Sequence, residues 1–140
     1  MDRIAIVEAV KAFCVTNNVS LDDIVIGYGA AAVMHGIRHT TNDIDVDVHQ
    51  SEFEVIAKMD GIIGKGLTGE FISIGDMDFH VEEHTDFVLI DGIWVVGART
   101  LLRQYRWLFN HPERMPEKRK KDLMVIKALT VPAANVALAA

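Results

Sequence analysis

Apolar positions recur at helical spacing near both ends of the chain and follow shorter patterns in between. Residues 3–17 carry apolar side chains three and four positions apart, which predicts an amphipathic first helix. The segments "ARTLLRQYRWLFNH" and "PEKRKKDLMVIKAL" show the same period and predict two C-terminal helices. Pro112 and Pro116 lie in the connection between them, where a helix is expected to break.

The first half of the chain predicts two strands around a short helix. "DIVIGYG" is typical of a buried strand ended by glycine, and "AAAVMH" predicts one or two helical turns from about 29 to 35, closed by Gly36. "NDIDVDVH" alternates strictly, so Asp43, Asp45 and Asp47 are predicted to share the polar face of a second strand. "SEFEVIAKM" then predicts a further helix, with Ser51 as its N-cap.

The segment from 61 to 97 is rich in β-branched residues punctuated by glycine, which predicts strands and turns. The resulting order, α-β-α-β-α-β-β-β-α-α, indicates an α/β (α+β) fold with a mixed β-sheet and flanking helices. Residues 1–130 are expected to form a single domain. Residues 131–140 lack periodicity and are expected to fray.

Composition places the chain among folded cytoplasmic proteins. Of its 140 residues, 50% are hydrophobic and 24% charged, and the one cysteine, Cys14, cannot form an internal disulfide. The apolar run at the N-terminus is broken at Glu8 and Lys11, which is unlike a signal peptide or a membrane span. The net charge is −6, yet residues 99–127 carry nine Lys/Arg against three Asp/Glu. A basic end of this kind suits an anionic partner.

The stretch "GYGAAAVMHGIRHTTNDIDVDV" combines a glycine turn with a row of aspartates. Carboxylates two residues apart on a strand lie about 7 Å from each other along one face, which suits the bracketing of hard cations. A turn without side chains lets backbone N–H groups approach phosphate oxygens closely. Together these features indicate a site for a metal ion and a nucleotide.

In this stretch the sequence resembles the DNA polymerase β-like nucleotidyltransferases. "VIGYGAAAVMHG" followed by "TNDIDV" is similar to the motif of that superfamily, in particular of small bacterial and phage members related to minimal nucleotidyltransferases and AbiEii-type toxins. "MDFHV" is similar to the later strand that bears a third carboxylate, and "RKKDLMVIKAL" to a C-terminal Arg-x-Lys-Asp helix. These landmarks span roughly residues 24–129.

The resemblance implies a nucleotidyltransferase fold and an enzyme that transfers an NMP from an NTP to an acceptor hydroxyl, with release of pyrophosphate. Asp43 and Asp45 would bind Mg²⁺, or Mn²⁺. Asp78 would complete the metal site and help to deprotonate the acceptor. Alternation in "GDMDFHV" places Asp78, rather than Asp76, on the polar face of its strand.

The same resemblance implies a set of nucleotide-binding residues. Lys118 and Lys120 do not belong to this set and are expected to face solvent. The extra acid Asp47 is expected to be solvated as well. The implied nucleotide-binding residues are Gly27, Tyr28, Gly29, Thr41, Arg119 and Lys121.

Two alternatives stay open beside this interpretation. Tyr28 occupies the position at which the superfamily usually has its first glycine, which favours a catalytically weak or inactive binding module, for example a toxin–antitoxin component. "HVEEH", from His80 to His84, fits a zinc-hydrolase pattern, but that chemistry requires a helix and the context predicts a hairpin. The acceptor (RNA end, small molecule or protein) and the oligomeric state are undetermined, and no membrane partner is expected.

Overall fold

A computed structural model describes residues 1–131, so the predicted C-terminal tail lies outside the described residues apart from Val131. The helices are α1 (Arg3–Asn17), α2 (Tyr28–Met34), α3 (Gln50–Ile56), α4 (Ala98–Asn110) and α5 (Pro116–Thr130), with a 3₁₀ turn at Leu21–Asp23. The strands are β1 (Ile24–Gly27), β2 (Ile44–Val48), β3 (Ile62–Gly66), β4 (Gly69–Ile74), β5 (Met77–Val81), β6 (Phe87–Ile90) and β7 (Ile93–Val96).

The strands form one mixed sheet in the order β3-β4-β5-β2-β1-β7-β6. The central strand β2 runs antiparallel to β1 and parallel to β5, and β1 runs parallel to β7. The outer strands pair as antiparallel hairpins. The predicted α+β class, with a mixed sheet and flanking helices, is confirmed.

The region from 61 to 97 holds five strands, whereas the sequence predicted three. Two tight turns account for the difference. Gly69 and the pair Asp91-Gly92 have positive φ angles (104°, 52° and 83°), and each lies where one strand reverses into the next. An Asp-Gly pair between two apolar runs is a strong hairpin signal because its residues tolerate left-handed backbone conformations.

The core forms where the sheet meets α1 and α2. The alternate residues Ile44, Val46 and Val48 of β2 are buried, which confirms the predicted apolar face of that strand. Phe13 of α1 packs on Phe79 of β5, with ring centroids 4.9 Å apart. β2 and β5 lie side by side as a parallel pair, and both strands carry carboxylates on their other face.

Helix α5 packs against α4. Asp122 and Val125 are buried, Ile126 and Leu129 are partly buried against the core, and Leu123 is exposed. The burial of Asp122 follows from its two-pronged ion pair with Arg114 in the α4–α5 connection. Within residues 1–131, no helix combines the length and the hydropathy needed to cross a bilayer.

Candidate active site

A cavity of about 490 Å³ lies at the start of β2 and β5 and is closed by residues of α2, α4 and α5. Seven of the residues singled out in the sequence line it, although they come from four separate parts of the chain. They are Tyr28, Gly29, Thr41, Asp43, Asp45, Asp78 and Lys121.

The three carboxylates meet because β2 and β5 are parallel neighbours. Asp45 and Asp78 are directly paired across the two strands, and Asp43 lies one residue before β2. Burial raises the pKa of Asp43, and the nearby Asp78 carboxylate raises it further, while Lys118 opposes both effects. A cation bound between the two carboxylates would relieve the effect of Asp78 on Asp43, and carboxylate oxygens are the ligands that hard cations prefer.

The turn between β1 and α2 forms another wall of the cavity. Tyr28 has φ of +50°, a left-handed conformation that glycine adopts at no steric cost. A Cβ on Gly29 would lie 2.9 Å from both Arg38 Nη1 and Thr41 Oγ1, so a side chain there would crowd the cavity. Tyr28 therefore departs from the motif in its side chain but keeps the backbone conformation that a glycine would give. Gly27 packs behind this wall, against Asp47 and Gln104.

The basic residues of α5 meet the cavity in a different combination from the predicted one. Lys118 and Lys121 line it, whereas Arg119 donates a hydrogen bond from Nη2 to the carbonyl oxygen of His111, 2.6 Å away. Residues three apart lie on the same side of a helix, whereas residues two apart, such as Arg119 and Lys121, do not. Helical spacing thus explains why Lys118, expected to face solvent, accompanies Lys121.

His80 is a residue of this site that the sequence did not assign. Its Nε2 lies 3.2 Å from Asp45 Oδ1, and both side chains face the cavity. Burial disfavours the charged imidazole, but the hydrogen bond and charge of Asp45 outweigh burial and raise the pKa of His80. The sequence could have indicated His80, because it lies two residues after Asp78 and therefore on the same face of β5.

Two further groups at the cavity come from positions without a motif. Arg114 binds Asp122 through two hydrogen bonds of 2.9 and 2.7 Å, and Tyr105 accepts a hydrogen bond from Arg38. Their placement depends on how α4 packs on α5 and on α2, so no local pattern could have indicated it.

Asp47 was expected to be solvated, and this prediction is wrong. The residue is 1% exposed, and its Oδ2 accepts hydrogen bonds from His84 Nε2 at 2.6 Å and from Gln104 Nε2 at 3.4 Å. The segment after β5 and the buried face of α4 cover this end of β2. The third aspartate of the row is therefore a buried, hydrogen-bonded group behind the cavity.

Asp47, Glu82 and His84 have possible ligand atoms within 4.8 Å of one another. However, two ligands of a tetrahedral zinc ion with bonds of about 2 Å lie about 3.3 Å apart. The 2.6 Å between His84 Nε2 and Asp47 Oδ2 is shorter and is the length of a charge-assisted hydrogen bond. Residues 80–84 are a strand end and a loop rather than a helix, so the arrangement a zinc hydrolase needs is absent from this segment.

Two solved structures share the mixed sheet and its flanking helices and identify this architecture as the nucleotidyltransferase fold. The chain is similar to the crystal structure of ANT(2")-Ia in complex with adenylyl-2"-tobramycin, with a TM-score of 0.57 and 14% identity, over 96% of this chain and 92% of that one. The solution structure of the antibiotic-resistance factor ANT(2'')-Ia gives a TM-score of 0.58 and 16% identity, over 99% and 90% of the two chains. No family model and no curated sequence matches the chain.

Proposed function

We propose that the protein is a metal-dependent nucleotidyltransferase, which transfers an NMP from an NTP to an acceptor hydroxyl and releases pyrophosphate. The observation that supports this function best is the content of a single cavity. It holds the carboxylates of Asp43, Asp45 and Asp78 together with the ammonium groups of Lys118 and Lys121. A triphosphate would be repelled by the carboxylates alone, but it is attracted by cations bound between them and by the lysines.

Asp43, Asp45 and Asp78 are the residues that would hold Mg²⁺, or Mn²⁺. All three offer carboxylate oxygens, and the pKa of Asp43 is raised first by burial and then by the charge of Asp78, which a cation would compensate. When bound, such an ion neutralises phosphate charge and orients the phosphate oxygens. His80, 3.2 Å from Asp45, restricts the orientation of that carboxylate.

The residues of the cavity then have distinct roles in the transfer. The acceptor oxygen attacks the α-phosphorus, and its proton passes to a carboxylate oxygen of Asp78. The bond between the α-phosphorus and the oxygen that bridges to the β-phosphorus breaks, and pyrophosphate leaves. Lys118 and Lys121 contact the β- and γ-phosphates, while Gly29 leaves room for the nucleotide beside Thr41.

A small molecule with free hydroxyl groups is the first acceptor to test. The ANT(2")-Ia crystal structure contains adenylyl-2"-tobramycin, in which the acceptor is an aminoglycoside. RNA ends and protein hydroxyls are the other classes to include. The direct experiment incubates the protein with each α-labelled NTP, Mg²⁺ or Mn²⁺, and aminoglycosides, RNA or a cell extract. Label should appear in one acceptor class, and its absence from all of them with folded protein would contradict the proposal.

The second candidate is a non-catalytic module that binds a nucleotide or a partner protein, for example one component of a toxin–antitoxin pair. The observation that favours it is Tyr28, which lines the cavity at the position where the related motif has glycine. Equilibrium binding of each NTP, measured beside the transfer assay, separates the two candidates. Binding without transfer to any acceptor favours the module.

A further inference from the structure

The turn between β1 and α2 adopts a backbone conformation that its own sequence does not favour. Tyr28 has a φ of +50°, which is unfavourable for any residue with a Cβ. Such conformations persist only where the surrounding structure holds them. Because Tyr28 and Gly29 line the cavity, whatever holds this turn also sets the shape of the candidate nucleotide site.

Gln104 of α4 makes the contact that holds the turn. Its side-chain Oε1 accepts the backbone N–H of Tyr28 at 3.0 Å, across 76 residues of sequence. Gln104 is 4% exposed and lies behind the cavity wall, so its amide has no access to a nucleotide. A Cβ on Gly27 would lie 3.1 Å from Gln104 Nε2, which shows how closely the turn packs on this side chain.

The orientation of the Gln104 amide is fixed by Asp47. Gln104 Nε2 donates to Asp47 Oδ2 at 3.4 Å, and the same oxygen accepts from His84 Nε2 at 2.6 Å. Because Asp47 Oδ2 acts as the acceptor in both contacts, it selects the amide orientation that points Nε2 toward it. That orientation leaves Oε1 directed at the Tyr28 amide. His84, Asp47, Gln104 and the Tyr28 backbone thus form one chain of hydrogen bonds.

This chain of hydrogen bonds joins the two halves of the candidate site. Gly27 pairs with Asp45 across β1 and β2, and Asp47 follows Asp45 on the same face of β2. We propose that Gln104 is a positioning residue for the nucleotide, which keeps the Tyr28–Gly29 backbone at a fixed distance from the Asp45 carboxylate. The inference rests on the proposed function, since it assigns Gln104 a role in NTP binding.

The test uses Gln104→Met, which keeps the size of the side chain but removes its hydrogen bonds. Hydrogen exchange at the Tyr28 amide, measured by NMR on the protein alone, should accelerate about tenfold, the effect of losing one hydrogen bond. NTP affinity should fall by about the same factor. Gln50→Met, at an exposed glutamine of α3, is the matched control and should change neither quantity.

Gln104→Glu is the conservative variant, and it also serves if Gln104→Met does not fold. It retains an acceptor for the Tyr28 amide but faces the Asp47 carboxylate with an oxygen. Tyr28 exchange should stay close to that of the unmodified protein, and NTP affinity should exceed that of Gln104→Met. A role limited to packing would instead lower stability in both variants and leave their affinities alike.

The Tyr28→Gly substitution provides a second test, and its expected result does not follow if Gln104 contributes packing alone. In the Tyr28→Gly background the left-handed turn no longer needs support, so Gln104→Met should lower NTP affinity by less than about threefold. An equal loss of affinity in both backgrounds would overturn the inference. Accelerated Tyr28 exchange with unchanged affinity would overturn it too, as would unchanged exchange in Gln104→Met. If the unmodified protein binds no NTP, the proposed function fails, and the positioning role fails with it.

Discussion

Two aspartate–histidine pairs follow each other along one face of β2, with His80 on β5 and His84 in the loop after that strand, and they differ in burial and in the length of their hydrogen bond. Asp45 and His80 are 3.2 Å apart, with side chains 24% and 11% exposed, and both line the cavity. Asp47 and His84 are 2.6 Å apart, with both side chains 0% exposed. The residue types are identical, so the difference in burial alone determines their roles. The exposed pair can contact a ligand, whereas the buried pair can only stabilise the structure around it.

The comparison also shows how one alternating segment serves two purposes. Asp43 and Asp45 reach the cavity, while Asp47 is sealed by the segment after β5 and by α4. Water reaches the first two carboxylates and can be replaced by a metal ion or a phosphate. The third carboxylate has exchanged water for two hydrogen bonds from side chains. Substitutions at the open pair should therefore change activity foremost, and substitutions at the sealed pair should change stability foremost.

The largest expected effect is at the open pair. Asp45→Asn removes charge that binds the cation, and we expect transfer to fall by about a thousandfold or more while the fold is retained. Turnover with a labelled NTP and thermal unfolding measure the two effects. Asp76→Asn, in the exposed β4–β5 turn, is the control and should leave both unchanged. Full activity in folded Asp45→Asn would exclude the proposed metal site.

At the sealed pair the loss should be in stability. His84→Ala leaves the Asp47 carboxylate buried with only Gln104 as a donor, and removing one partner of a buried pair costs about 3–5 kcal/mol. Urea unfolding measures this loss. The control is Arg3→Ala, which breaks an exposed ion pair with Asp91 and should have no measurable effect. A His84→Ala protein as stable as the unmodified one would show that the pair contributes little.

The two pairs also show which features the sequence predicts: it predicts the face of a strand on which a residue lies, but not whether a polar face is buried. Alternation in β2 and β5 correctly places Ile44, Val46 and Phe79 in the core. It also puts Asp45 and Asp78 on the polar face, where the structure brings them together as paired residues. These inferences depend only on the period of a strand and on which strands neighbour each other.

The segments that bury a polar strand face come from distant parts of the chain. The sequence around the strand therefore does not indicate which polar residues become buried. Asp47 has the same surroundings in sequence as Asp45, but its partners Gln104 and His84 lie 57 and 37 residues away. The contact of Gln104 with Tyr28 likewise depends on how α4 packs against α2. Lys118, in contrast, could have been found by helical spacing, since it precedes Lys121 by three residues.

A smaller effect should distinguish the faces of α5. Lys121 lines the cavity and Lys120 does not, so Lys121→Ala should weaken NTP binding by about tenfold, whereas Lys120→Ala should leave it unchanged. The salt dependence of binding should also decrease for Lys121→Ala, because one contact between opposite charges is lost. Titration of both variants with NTP at two ionic strengths measures this. Equal losses would indicate a diffuse basic surface and would favour a nucleic acid as acceptor.

The smallest expected effect is the pH dependence of stability that the sealed pair confers. Burial disfavours the charged form of His84, but the hydrogen bond and charge of Asp47, helped by Glu82 and opposed by Arg103, raise its pKa above the ordinary value of 6.5. The unfolded chain releases this proton near pH 6.5, whereas the folded protein keeps it to higher pH.

The stabilisation is therefore complete below pH 6.5 and is lost as the pH rises through the raised pKa of the folded protein. His84→Gln can still donate to Asp47 but does not titrate, so it isolates this contribution. The free energy of unfolding of the unmodified protein, minus that of His84→Gln, should decrease in urea titrations as the pH rises from below 6.5 through the raised pKa of the folded protein. The same change at His49, which contacts Glu83 at the surface, is the matched control variant. A constant difference for His84→Gln would mean that the buried pair holds no proton that the unfolded chain releases.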